Sequence, residues 1–229
     1  AFNEAFEFYG LGCYWDSELY AELLSVSGGK ERLAFFIKKY KPDLLKSSSS
    51  LEITDIHRKK TDIFISKITD GLISLRIGVE RLIYEAKDNN LRLGIATTTS
   101  FENVRAILES SLGKGAMNNF EIVGAGDVVK NKKPSPEIYN YVLKKMNLSA
   151  EDCIAFEDSE IGFKASTASG LNTVVTLSEY TMADNFKGAL VVLDHLGEEN
   201  QPFQMVYGMP THHTMVGVDY LKELYECTN

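Results

Sequence analysis

The alternation of apolar and polar positions changes character once along the chain, near residue 75. Before that point apolar residues recur at helical spacing and no strand pattern interrupts them. Ala1 to Tyr9 reads as one amphipathic segment, stopped by Gly10 and Gly12. Asp16 is placed to cap a helix running through Leu24, and Ser27-Gly28-Gly29 breaks the pattern ahead of a helix from about Lys30 to Tyr40. The run Ser47–Ser50 reads as a loop. A further helix is predicted from about Thr54 to Ile68, with Thr54 or Asp55 as its cap.

From about Leu75 short apolar runs alternate with helical patterns. A helix over Val79–Asn89 leads to the run Leu91–Ala96, and a helix over Phe101–Leu112 to Phe120–Val123. A helix over Pro136–Met146 leads to Cys153–Phe156, one over Ile161–Ser169 to Thr173–Thr176, and Leu190–Leu193 is a last strand-like run. This rhythm predicts βαβ units and a parallel sheet. Gly124 and Gly170 are read as turns at strand ends. The change of rhythm divides the chain into a helical domain, 1–74, and an α/β domain, 75–229. Beyond Gly197 the chain, with Pro202, Pro210 and the His212-His213 pair, is irregular until a helix near Asp219–Glu226.

A composition of 44% hydrophobic and 24% charged residues is that of an ordinary globular protein with a packed core. No apolar run approaches the length that crosses a bilayer, so no membrane partner is expected. Cys13, Cys153 and Cys227 are odd in number and far apart, which argues against a disulfide framework or a cysteine metal site. A reducing, cytoplasmic compartment is expected, or an organelle stroma where a targeting segment precedes Ala1. The net charge of -8 argues against nucleic acid as a partner. Residues 1–76 hold 11 basic and 11 acidic side chains, residues 77–229 hold 13 and 21. An anionic ligand would therefore need positive charge concentrated locally, by lysines, a cation or backbone N–H groups.

In an open parallel sheet, ligands bind beyond the carboxyl ends of the strands, and three features fall there. The run Leu93–Ala96 ends in Thr97-Thr98-Thr99-Ser100, hydroxyls that suit a phosphate oxygen at a helix start or simply cap the helix. Lys132-Lys133-Pro134-Ser135-Pro136 precedes a helix; its lysines either meet a phosphate or stand solvated. Cys153–Phe156 ends in Glu157-Asp158-Ser159, adjacent carboxylates that bind a hard cation such as Mg2+ or act as an acidic helix cap.

The ordered combination of the three resembles the haloacid-dehalogenase superfamily, in its CbbY-like branch, which also contains β-phosphoglucomutases. The stretches that carry the resemblance are LGIATTTSFENV (93–104), KKPSPEIYNYVL (132–143), AFEDSEIGFKASTASGLNTVVT (155–176) and EYTMADNFKGALVVLDHLG (179–197). In the helical part AFNEAFEFYG (1–10), SGGKERL (27–33) and IHRKKTDIF (56–64) look like that branch's cap domain. The resemblance implies a Rossmann-like sheet core with helices on both faces and a helical cap. It implies that Thr97 holds the transferring phosphoryl group with help from the Thr98 N–H, and that Lys133 neutralises developing charge. Glu157 and Asp158 would secure Mg2+, Asp158 more directly. In the cap, Gly29, Lys30, Arg32, His57 and Lys60 would contact the rest of a sugar phosphate. The implied activity is hydrolysis of a small sugar phosphate, such as a pentulose bisphosphate, through an aspartyl phosphate. The alternatives are a phosphoglucomutase, or a non-catalytic relative that binds a phosphorylated ligand or a protein partner. A monomer is favoured.

One departure matters. The family begins with a strand ending in Asp-x-Asp-Gly-Thr, whose first Asp attacks phosphorus while the second acts as general acid and base. No such motif stands in the 229 residues, and Thr69-Asp70-Gly71 follows a helix and lacks the paired Asp. By resemblance Ala1 corresponds to a point inside the first cap helix, which would place roughly 20–25 further residues ahead of it. In the family that strand is central, so its neighbours would otherwise keep unpaired edges. A polypeptide that starts at Ala1 is thus expected to show no phosphatase turnover. An active, well-folded protein with an intact mass of 25.6 kDa would overturn that expectation.

Overall fold

In the computed structural model, which describes residues 1–44 and 51–227, helices alone occupy the chain before Gly94. The Ser47–Ser50 run lies outside the described residues. Helices α1 (Phe2–Phe8), α2 (Ser17–Leu23), α3 (Gly29–Tyr40) and α4 (Ile53–Thr69) follow the predicted pattern. Asp16 caps α2, accepting from the Leu19 N–H at 2.8 Å. The start of α4 differs from expectation: Glu52 is the cap, and Asp55 reaches back to accept from its N–H at 3.1 Å. An acid at the third helical position satisfies an orphan donor, so Asp55 belongs inside the helix.

An aromatic cluster holds these helices together. Trp15 lies 4.4 Å from Phe2 and 5.2 Å from both Phe6 and Phe36, ring to ring. Leu23, Leu33 and Ile56 close the same core and are fully buried. Each such side chain contributes about 1.5–3 kcal/mol of burial. Asn3 fixes the Trp15 backbone by exchanging two hydrogen bonds with it, both 2.8 Å.

The rest of the chain is α/β. In order come α5 (Val79–Asp88), β1 (Gly94–Ala96), α6 (Phe101–Leu112), β2 (Ile122–Gly124) and α7 (Glu137–Met146). They are followed by β3 (Ile154–Glu157), α8 (Glu160–Ala168), β4 (Asn172–Thr176), β5 (Val191–Leu193), β6 (Met205–Tyr207) and α9 (Val218–Glu226). Side chains alternate across the strands as the pleat requires. On β4 and β5, Val174, Val191 and Leu193 pack with α5 and α9, while Val175 and Val192 pack with Phe163 of α8 on the other face. Helices therefore cover both faces.

The strands fall into two hydrogen-bonded groups. β1 pairs with β2 in parallel, and β3, β4 and β5 run parallel with β6 antiparallel at the edge. The antiparallel β6 lies in a stretch that the sequence pattern leaves irregular; it is an edge strand with Val206 and Tyr207 exposed, outside the buried βα rhythm of the others. Among the described residues no strand pairs with the second edge of β1 or of β3.

Helix α7 spans the two groups. Ile138 and Tyr139 pack with Ala155 of β3 and Ala96 of β1, while Val142 and Met146 lie on the backbone of β1 and β2. The approach is close: a Cβ at Gly94 would stand 2.8 Å from Met146 Sδ, and one at Gly124 would stand 2.8 Å from Val142 Cγ2. Gly124 is thus a strand residue kept bare for helix packing, not the turn its position suggested. Two further contacts set the helical part on the core. Arg76, in the connecting segment, donates to the Thr176 and Asp194 carbonyls at 3.1 and 2.9 Å and also to Leu177. Ser110 of α6 donates to the Ile68 carbonyl of α4 at 3.1 Å.

Candidate active site

The four hydroxyls after β1 divide their work. Ser100 caps α6 by accepting from the Asn103 N–H at 3.4 Å, which releases the others from capping. Thr97 continues the strand through its N–H to the Gly124 carbonyl, 2.9 Å, and its hydroxyl accepts from the Thr99 N–H at 3.2 Å. Thr98 turns toward the helical part, where Ser27 donates to it at 3.3 Å.

Lys133 joins the ends of the two strand groups. Its ammonium donates to the Ala96 carbonyl at the end of β1, 2.9 Å, and to Glu157 Oε1 at the end of β3, 2.5 Å. The side chains of both ions are about nine-tenths covered. Such burial costs desolvation free energy, and it persists only where each charge is well satisfied. Tyr139 supplies that: its hydroxyl donates to the same Glu157 oxygen, and its ring lies 4.8 Å from the Lys133 ammonium. Burial first, and then the Glu157 charge, push the Tyr139 hydroxyl upward, so it stays protonated and donates. Gly162 makes room for this carboxylate. A Cβ there would stand 1.8 Å from Glu157 Oε2. The neighbouring Lys132 goes elsewhere, to the Gly126 carbonyl at 2.6 Å and Asp127 at 2.7 Å. Neither lysine is left merely solvated.

The acidic pair separates as well. Ser159 caps α8 by accepting from the Gly162 N–H at 3.3 Å, so neither Glu157 nor Asp158 serves as the cap. Glu157 points inward to Lys133. Asp158 is exposed and has no hydrogen bond or ion pair among the described residues. It is the carboxylate available to a hard cation.

Gly29, Lys30, Arg32, His57 and Lys60 come together with Thr98 around one cavity of about 240 Å³ between the helical part and the core. Thr97, Lys133, Glu157 and Asp158 do not line it; they sit at the strand ends, one residue from Thr98 in the chain in the case of Thr97. Arg32 is anchored by its Nε and Nη2 to the Leu23 and Val26 carbonyls at 3.0–3.2 Å, leaving Nη1 without a partner among the described residues. Lys60 rests against the rings of Phe64 and Phe2, 4.7 and 5.4 Å away, and has no carboxylate partner among the described residues. Burial and the nearby Arg32 hold its ammonium below the usual lysine value. Burial, with Lys60 and Lys30 nearby, likewise lowers His57. Two uncompensated cations in a half-buried space make a strong demand for an anion. A larger cavity of about 320 Å³ beside residues 71–78 contains none of these groups.

Lys30 lines the cavity and also has a partner of its own. It pairs with Asp127 at 2.9 Å across the mouth of the cavity, and the two lysines 132 and 30 lower that carboxyl to about 2. The pair is solvent-exposed and contributes about 0–1 kcal/mol, but with Ser27–Thr98 it ties the helical part to the core. Tyr139, Asp127, Ser27 and Asn103, whose buried Oδ1 lacks a partner beside the cavity, escaped sequence reasoning. Only Tyr139 carried a signal, on the buried face of the helix that begins just after Lys133.

Against known proteins, the family of haloacid dehalogenase-like hydrolases matches residues 1–176. Protein CbbY of Cereibacter sphaeroides is 42% identical over 198 residues, spanning 86% of this chain and 84% of that protein. A CBBY-like protein of Arabidopsis thaliana is 36% identical over 202 residues, 86% of this chain and 63% of its own length. The crystal structure of a CbbY mutant from Rhodobacter sphaeroides in complex with xylulose-(1,5)bisphosphate superposes with a TM-score of 0.80. It is 42% identical and covers 85% of this chain and 84% of that one. A β-phosphoglucomutase from Clostridium difficile, 21% identical with a TM-score of 0.68, shares the fold over 99% of this chain and 90% of its own. The chain belongs to the haloacid dehalogenase-like hydrolase family, and is an enzyme of the hydrolase class.

Two outcomes follow from the geometry. Gly162→Ala should cost about 1–3 kcal/mol in urea unfolding, because the methyl group displaces the Glu157 carboxylate; an unchanged unfolding curve would show that the carboxylate has another place to go. His57, followed by NMR, should titrate below 6.5, its ordinary value. Its folded state favours the neutral ring, so its contribution to stability is undiminished above 6.5 and falls as pH drops below it. Inorganic phosphate should raise the midpoint by offsetting Lys60 and Lys30; a midpoint at or above 6.5 that phosphate leaves in place would refute the assignment.

Proposed function

We propose that this enzyme is a Mg2+-dependent phosphatase acting on a small sugar bisphosphate, of the pentulose bisphosphate kind. The observation that supports this best is the presence of two separate zones with N–H donors left over. One is the third donor of Lys133 at the joined strand ends; the other is the Arg32 and Lys60 pair, with His57 beside them, in the adjoining cavity. Two phosphates on a short carbon chain would engage one zone each. The xylulose-(1,5)bisphosphate bound to the Rhodobacter sphaeroides protein agrees with this reading.

In this reading the transferring phosphoryl group lies against the Thr97 hydroxyl and the Thr98 N–H. An ammonium carries three N–H donors, and Lys133 uses two of them on Ala96 and Glu157. The third is left for a phosphate oxygen, at a position locked by Glu157 and Tyr139. Such preorganised charge is the main source of rate in phosphoryl transfer. Asp158, with Glu157 behind it, is an oxygen-only donor set that fits Mg2+. Bound there, the cation would neutralise charge on the phosphate oxygens. Arg32, Lys60 and His57 hold the second phosphate, and the Ser27–Thr98 and Lys30–Asp127 contacts hold the helical part against the core around it. The aspartyl phosphate that the family resemblance implies needs a carboxylate nucleophile, which no Asp-x-Asp-Gly-Thr in the 229 residues supplies. The roles assigned to these residues are therefore binding, orientation and charge neutralisation.

The test uses the protein as the cell makes it, with Mg2+ and a panel of sugar mono- and bisphosphates. Release of inorganic phosphate is expected to be fastest from a bisphosphate. Asp158→Asn and Lys133→Ala should each lose about 10²–10³-fold in kcat. Lys60→Ala should mainly raise KM for the bisphosphate. An Asp158→Asn enzyme with full activity would remove the metal assignment, and an isomerised sugar phosphate in place of free phosphate would make the enzyme a mutase.

A further inference from the structure

A second group of ligating side chains lies far along the chain from the cavity, in a part that the family match over residues 1–176 does not reach. His212, His213 and Glu223 place one ligand atom each within 4.8 Å of one another. His213 is half-buried and its Nε2 lies 2.9 Å from Glu223 Oε1. Its ring lies 4.3 Å from that of His212 and 4.9 Å from that of Tyr220, tilted against both, and Tyr220 in turn stacks on Phe203. The loop beneath is held by its own backbone: the Thr214 carbonyl accepts from the Phe203 N–H at 2.9 Å, and the Val216 N–H donates to Leu196 at 2.7 Å. The Thr211 hydroxyl accepts from the His213 N–H at 3.1 Å.

A histidine–glutamate pair alone would account for His213 and Glu223. It does not account for His212. That ring is exposed, has no hydrogen bond among the described residues, and lies against its neighbour with the planes 31° apart. Each imidazole thus has a nitrogen within 4.8 Å of the other's and of a carboxylate oxygen. We propose that His212, His213 and Glu223 bind a borderline divalent transition-metal ion of the Zn2+ class, clamping the loop after β6 to α9. Metal–ligand bonds of about 2.0–2.2 Å require the three ligand atoms to close in slightly, which rotation of the two exposed side chains, His212 and Glu223, provides. Imidazole donors select such an ion over Mg2+, which prefers oxygen and keeps its waters. The exposed side of the site leaves the remaining coordination positions to water. Bound to the folded chain alone, the ion stabilises the fold by mass action.

The test is calorimetric titration of Zn2+ into chelator-stripped protein, with excess Mg2+ present to occupy oxygen-only sites. A single saturable Zn2+ site is expected, accompanied by a rise in Tm. His212→Ala and Glu223→Gln alter exposed side chains and leave the fold intact. Each should weaken Zn2+ by about tenfold or more, since even outer-shell partners of a metal are worth 10–100-fold. Cys227→Ser, which removes the nearby exposed thiol just past the same helix, should bind as the parent does. Absence of saturable Zn2+ binding, unchanged affinity in both variants, or loss of binding in Cys227→Ser would each overturn the proposal.

Discussion

One buried ammonium organises the strand ends. β1 and β3 belong to separate hydrogen-bonded groups, and Lys133 reaches both, through the Ala96 carbonyl and the Glu157 carboxylate. Removing either partner would leave an uncompensated charge out of water, a far larger cost than an ordinary hydrogen bond. Tyr139 and Gly162 exist in relation to this pair, one donating to the carboxylate and the other vacating the space it fills. The same ammonium is bonded one residue from Thr97 and one residue from Asp158, so the contact that holds the strand ends also fixes a cation beside both residues.

The cavity beyond Thr98 works by the opposite principle. At the strand ends the Lys133 and Glu157 charges answer each other; around Arg32 and Lys60 the positive charge is left over. Arg32 spends its donors on the Leu23 and Val26 carbonyls, which fixes its direction without neutralising it. Lys60 is propped on aromatic rings, which attract the cation but do not cancel it. The chain carries a net -8, so this local excess depends on the surrounding acids lying elsewhere. Two acids do line the cavity, Glu31 and Asp127, and Asp127 is taken up by Lys30 and Lys132.

Much of this was legible in the order of residues. Helical periodicity located the helices to within a few residues, since each must bury one stripe, and short apolar runs marked the strands between them. Topology pointed to the strand tips at 97–100, 132–133 and 157–158 as places for chemistry, and the family resemblance then singled out Thr97, Lys133 and Asp158 within them. One misplacement has a local cause and one a distant cause. Glu52 rather than Thr54 or Asp55 caps α4 because an acid at the third position reaches back. Gly124 is bare for the sake of α7, a contact made by residues far away in sequence.

The sequence by itself determined which segments are helical, where β1 to β5 run, and which strand tips carry hydroxyl, ammonium and carboxylate groups, because these depend on neighbours a few residues apart. Only the tertiary structure decided how those groups pair. That Glu157 answers Lys133 while Asp158 stays open, that Lys30 closes on Asp127, and that His212, His213 and Glu223 meet are all long-range outcomes. Each is selected by desolvation and packing among residues that periodicity cannot relate.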